Sequence, residues 1–185
     1  MGEMDKLDDL YYIQKTLDGD TSYFSRLVDR YSHQTYLLIL KIVRQKEDAE
    51  ELTQDVFVKI FKVLHSFKGE CRFSTWLYRI AYNTALSATR KKKHEFLYIE
   101  ENTIDNVMDE KVREAIEETD NSERLEKLGK AVELLAPEER GLITLFYMEE
   151  HSIEEISSIT GLSVSHVKVK LHRIRKKLYI IMEGM

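Results

Sequence analysis

The chain has 185 residues, 33% of them charged and 43% hydrophobic, with a formal net charge of −5. That balance excludes a disordered chain, and no apolar run approaches the roughly 18 residues of a membrane span. A single cysteine, Cys71, excludes an internal disulfide and a cysteine-rich zinc site, and one proline and seven glycines favour helix throughout. The acidic start MGEMDKLDDL lacks the apolar core of a secretion signal. A reducing cytoplasm is the expected compartment. The six histidines show no metal-ligand spacing, and no cofactor is expected.

In chain order, Leu7, Leu10, Tyr11 and Leu17 suggest a short first helix stopped by Gly19. Asp20 suits the cap of a second, whose apolar residues recur from Phe24 to Val43. A break at Gln45-Lys46 precedes a third helix, Glu47 to about His65, opened by acids that suit its dipole. Its exposed positions include Glu51, Gln54, Asp55 and Lys59. Residues 66–72 read as a loop. Ser74 or Thr75 is the expected cap of a long fourth helix with core positions Leu77, Ile80, Ala81, Ala85 and Leu86.

Charge is unevenly placed. From Cys71 to His94 there are six cations and no acid, beside the aromatics Phe67, Phe73, Trp76, Tyr78 and Tyr82. Rings interleaved with cations suit single-stranded nucleic acid, where unstacked bases need π faces and phosphates need charge. From Glu95 to Glu126 twelve acids face three cations, a net −9. This stretch reads as a linker, helical at most transiently near Lys111–Glu118, and able to close over either basic face.

Beyond it, Leu125, Leu128, Val132 and Leu135 form a helical stripe, and Pro137 opens another helix that runs towards Glu149. Ser152 with Glu155 makes a capping box, Ile153, Ile156 and Ile159 share one face, and Gly161 suits the helix stop. Ser163 or Ser165 can cap the last helix. Its seam is Val164, Val167, Leu171, Ile174 and Leu178, and its other faces carry Lys168, Lys170, His172, Arg173, Arg175, Lys176 and Lys177 without an acid. A buried stripe behind a basic front, after a glycine-turned short helix, meets the needs of a DNA-reading helix-turn-helix.

DAEELTQDVFVKIFKVLHSF (48–67), FSTWLYRIAYNTA (73–85) and RKKK (90–93) together resemble region 2 of a bacterial RNA polymerase sigma factor. LLAPEERGLITLFYMEEHSIEEISSITGLSVSHVKVKLHRIRKKL (134–178) resembles region 4. Both, in this order, are similar to the extracytoplasmic-function (ECF) subgroup. The expected architecture is all-α: a region 2-like domain over 1–94, an acidic linker over 95–123, and a region 4-like helix-turn-helix domain over 124–185. The resemblance implies a non-enzymatic initiation factor whose partners are core polymerase (β′ and β subunits), promoter DNA and an anti-sigma factor.

It also implies site roles. Glu51, Gln54 and Asp55 would dock on the β′ clamp helices. Phe67, Arg72, Trp76, Arg79, Asn83, Arg90, Lys91 and Lys92 would hold melted −10 DNA. Ser165, His166, Lys168, Lys170, His172, Arg173, Arg175 and Lys176 would meet the −35 duplex, some at base edges and others only at phosphates. The chain departs from the family at Ser87, where many members carry Asp, and at Ser165-His166, where Gly-Thr is common. Cys71 falls in the −10 loop, where redox tuning and an incidental thiol both stay open. Three rivals keep the helix-turn-helix: a dimeric repressor or activator, a serine recombinase, and an adaptor that binds polymerase without reading promoters.

Overall fold

The computed structural model describes residues 3–91, 97–112 and 122–185, and no strand occurs among them. Helices α1 (Glu3–Leu17), α2 (Ser22–Val43), α3 (Lys46–Val63) and α4 (Phe73–Lys91) form the N-terminal half. A short helix α5 (Glu101–Asp105) lies in the acidic stretch, followed by α6 (Ser122–Glu133), α7 (Pro137–Ile143), α8 (Ile153–Thr160) and α9 (Val164–Glu183). A 3₁₀ turn (Leu64–Ser66) extends α3, and a π turn (Thr144–Met148) extends α7. None of these helices is long and apolar enough to cross a membrane.

Gly19 takes φ +107°, a left-handed conformation that ends α1. The Asp20 carboxylate then accepts the Ser22 N–H at 3.2 Å. The apolar residues that suggest α1 in the sequence are not the ones it buries. Leu10, Tyr11 and Leu17 are exposed, while Asp9, Ile13 and Thr16 are buried; the Leu7 side chain lies outside the described residues. Buried Asp9 is held by Arg30 at 2.8 Å and by the Tyr31 hydroxyl at 2.5 Å. A polar pair across two helices thus decides a face that apolar spacing alone assigns elsewhere.

Helix α4 begins one or two residues before its expected caps. The Arg72 carbonyl accepts the Trp76 N–H at 3.2 Å, so Ser74 and Thr75 lie inside the first turn. Leu77, Ala81 and Ala85 are fully buried as expected, with Ile80 and Leu86 half-buried.

One continuous core runs through both halves, from Leu27, Leu38, Ile39 and Ile42 of α2 to Leu135, Leu142, Leu145, Ile156 and Ile174. Gly141 is a point of close approach between the halves. A Cβ built there would lie 2.7 Å from a Tyr82 ring carbon and 3.2 Å from Ile42 Cδ1, so only glycine lets α7 lie this close to α2 and α4. Beside it, Arg140 is 1% exposed. It donates to the carbonyls of Lys41 (2.7 Å), Ile42 (2.6 Å) and Leu135. Arg44 caps α2 in a left-handed conformation, its N–H donating to the Leu40 carbonyl, and Arg140 satisfies the next two carbonyls of that last turn.

Candidate nucleic-acid interface

The two helices α8 and α9 and the turn between them form from local signals. The Ser152 hydroxyl accepts the Glu155 N–H at 3.1 Å, and the Glu155 carboxylate accepts the Ser152 N–H at 3.0 Å. Gly161 ends α8 at φ +78°. Ser163, not Ser165, caps α9, accepting the His166 N–H at 3.3 Å. The seam is buried at Val167, Leu171, Ile174 and Leu178. Ser165, Val169, His172 and Lys176, spaced four, three and four apart, share the outward face, flanked by Lys168 and Arg173.

Not every cation of α9 is on that front. Lys177 is 6% exposed and donates to both Glu139 carboxylate oxygens, at 2.9 and 3.2 Å. Arg175 donates to the Tyr147 hydroxyl at 2.7 Å and lies over the rings of Phe146 and Tyr147. Lys170 faces Glu138 at 3.3 Å. Lys177 is therefore a packing residue, and Arg175 and Lys170 are engaged with α7 and the π turn. Ser165, His166 and Lys168 are exposed.

The second half of the front meets the acidic stretch. Arg173 lies 3.5 Å from Glu101 and 3.5 Å from Asp105. Asp109 meets His172 at 3.2 Å and Lys176 at 3.1 Å. Ile104 and Val112 are buried alongside, and the Leu97 N–H donates to the Leu134 carbonyl at 2.9 Å. The expected linker is thus ordered from 97 to 112. Its remaining expected helical residues, 113–118, lie outside the described residues.

Arg72, just before α4, and Trp76, Arg79, Asn83 and Arg90 on it fall on one face, and all but Trp76 are exposed. Half-buried Phe67 and Trp76 lean on each other and on buried Phe73, with ring centroids 5.4 to 6.0 Å apart. The Asn83 amide donates to the Arg79 carbonyl at 2.8 Å. The Lys91 side chain and Lys92 lie outside the described residues. Tyr78 and Tyr82 do not belong to this face. Both are buried against the C-terminal half, Tyr78 edge-on to His151 at 5.0 Å, with its hydroxyl 3.3 Å from Glu149.

This seam carries shifted titrations. Burial pushes the Tyr78 hydroxyl far above its ordinary range and Glu149 upwards. Burial also lowers the His151 pKa, against the pull of Glu155. Glu155 is partly desolvated, but the Ser152 N–H, His151 and Arg72 outweigh that and lower its pKa. Arg72 approaches it at 3.8 Å. Burial and neighbouring Arg44 lower the Arg140 pKa to about 10, which leaves it charged at neutral pH. On α3, Glu51, Gln54 and Asp55 project together into solvent, continuous with exposed Val58 and Phe61.

Residues 27–95 match the Sigma-70 region 2 family, and residues 125–178 match the Sigma-70, region 4 family. The chain is 30% identical over 173 residues to the ECF RNA polymerase sigma factor SigW of Bacillus subtilis (strain 168), covering 90% of this chain and 92% of that one. It is 31% identical over 186 residues to the ECF RNA polymerase sigma-E factor of Escherichia coli (strain K12), covering 94% of each. The fold is similar to that of CnrH, solved in complex with the cytosolic domain of CnrY, with a TM-score of 0.67, 22% identity, and coverage of 96% of this chain and 98% of that one. It is also similar to that of the sigma factor RpoE of Bartonella quintana, solved with the anti-sigma factor NepR, with a TM-score of 0.62, 19% identity, and coverage of 86% and 96%. The chain belongs to the sigma-70 family, within its ECF RNA polymerase sigma factors. It is a non-catalytic transcription initiation factor whose partners are core RNA polymerase and promoter DNA.

Proposed function

We propose that the chain directs core polymerase by reading a −35 duplex with α9 and capturing melted −10 DNA with the 66–72 loop and the outer face of α4. The carrying observation is the pair of unlike basic faces on one chain. The α9 face presents exposed Ser165, His166 and Lys168 on a single helix, dimensions that suit a major groove. The α4 face sets Arg72 and Arg79 one helical turn either side of Trp76, with Arg90 further along the same face, so that π surface and cations alternate as unstacked bases and their phosphates require. Glu51, Gln54 and Asp55 form the proposed docking surface for the β′ clamp helices, since an acidic helix face complements a basic partner helix. The linker would occupy the polymerase channel that later holds RNA.

An anti-sigma partner is part of this proposal, because two solved proteins of the same fold are bound to the cytosolic domain of CnrY and to the anti-sigma factor NepR. The departures at Ser87 and Ser165-His166 mean that the promoter sequence is this chain's own. The test is binding of the purified protein to core bacterial polymerase, with a Glu51/Gln54/Asp55 triple-alanine variant, followed by permanganate probing of promoter opening. Tight binding lost in the variant, with thymines unpaired only near −10, is the expected result. Operator binding without polymerase would favour the repressor reading instead.

A further inference from the structure

We infer that residues 97–112 are an intramolecular strap that competes with DNA phosphates for the second half of the α9 reading face. This rests on the promoter-reading proposal for α9 and adds to it the expectation that the free chain binds duplex DNA weakly.

Three observations converge on the strap. The first is charge placement: Glu101 and Asp105 both reach Arg173, and Asp109 is shared by His172 and Lys176. Two carboxylates on one guanidinium, and one carboxylate shared by the His172 imidazole and the Lys176 ammonium, occupy the side chains that phosphates would contact along a groove-bound helix. The second is apolar anchoring. Ile104 is 7% and Val112 8% exposed, so the segment is seated by side chains as well as drawn in by field. The third is the main-chain tie from Leu97 to Leu134, which fixes where the strap begins.

The strap is selective in what it covers. Ser165, His166 and Lys168, at the start of α9, stay exposed, as does Val169. His172, Arg173 and Lys176 are the ones engaged. DNA could make a first contact at the start of α9 but could not seat along it until the acids leave. Each ion pair is solvent-screened and weak, so the strap is a competitor of modest strength and not a lock. Core polymerase, by drawing the linker into its channel, would remove the competitor, so that duplex reading is coupled to polymerase binding.

The experiment uses the full chain and a short random-sequence duplex, because non-specific binding reports phosphate contacts without a known promoter. Two variants release the strap differently. Glu101→Gln/Asp105→Asn/Asp109→Asn removes its charges; Ile104→Ser removes an anchor and leaves net charge unchanged. Hydrogen exchange of residues 101–112 is the structural readout, and fluorescence anisotropy at low salt is the binding readout. In the native chain these amides exchange slowly, and adding duplex accelerates them. Both variants exchange quickly and bind duplex about fivefold more tightly, the scale expected for a few screened ion pairs. A gain in the charge variant alone would mean simple removal of repulsion and overturns the strap. So would fast exchange in the native chain, or released strap with unchanged affinity. Promoter-dependent transcription by the reconstituted holoenzyme is scored separately. It fails in every variant if the promoter-reading proposal is wrong, and survives in every variant if only the strap is wrong.

Discussion

Arg140 donates from the start of α7 to the carbonyl of Ile42, at 2.6 Å and across 98 positions of sequence. The same guanidinium holds the carbonyls of Lys41 and Leu135, so one buried cation ties the last turn of α2 to the C-terminal half through main-chain acceptors. A guanidinium is suited to this because its donors fan out in a fixed plane and match several carbonyls at once.

Arg140→Met should destabilise the protein by about 3 kcal/mol, because the Ile42, Lys41 and Leu135 carbonyls lose their donor in a dry site. Urea unfolding followed by circular dichroism checks this. A shift of a few tenths would mean that water replaces the guanidinium at little cost.

Gly141→Ala ordinarily favours a helix. Here the added methyl meets the Tyr82 ring at 2.7 Å and Ile42 at 3.2 Å. The expected outcome is a net loss of about 1–3 kcal/mol, the usual cost of overpacking, with an enlarged radius of gyration in small-angle scattering as the two halves part. Adding Tyr82→Leu should recover part of both changes.

His151 makes the interface acid-sensitive. Its folded pKa is lowered from 6.5 by burial, so between those values the unfolded chain binds more protons than the folded one. Its stabilising contribution is therefore complete above about pH 6.5 and is lost as pH falls through the folded value. Glu149, whose pKa burial raises, works in the opposite sense: its contribution is present below its ordinary value and is lost as pH rises through the folded one. The drop in unfolding free energy from pH 7.5 to 5.5 should be smaller in His151→Phe than in the native protein. Equal drops would assign the effect to other groups.

Two lysines nine residues apart in α9 should behave oppositely. Lys168→Ala removes an exposed cation from the DNA face. It should reduce the salt slope of holoenzyme binding to duplex DNA by about one and leave unfolding unchanged. Lys177→Ala removes a buried partner of Glu139 and should cost about 3 kcal/mol of stability with the salt slope intact. Titrations of each variant at several salt concentrations, beside urea melts, separate the two.

Signals that act within one or two helical turns were legible in the chain itself. Ser152 and Glu155 cap α8, Gly161 ends it, and the Val167–Leu178 seam is buried, because capping, left-handed turns and helical periodicity depend on neighbours a few residues away. The two sigma regions and the helical content belong to this class. Tertiary structure decided what depends on distant surfaces. Tyr78 and Tyr82 carry the composition of a nucleic-acid face, yet the C-terminal half covers them. Lys177 reads as part of a basic front, and Glu139 takes it inward. Leu10 and Tyr11 mark a helix by their spacing, yet α1 buries Asp9 and Ile13 and leaves those two exposed. Helical spacing tells which side chains share a face. Which face is buried, and which charge meets which, follows from the free energy of the surface that comes to lie against it.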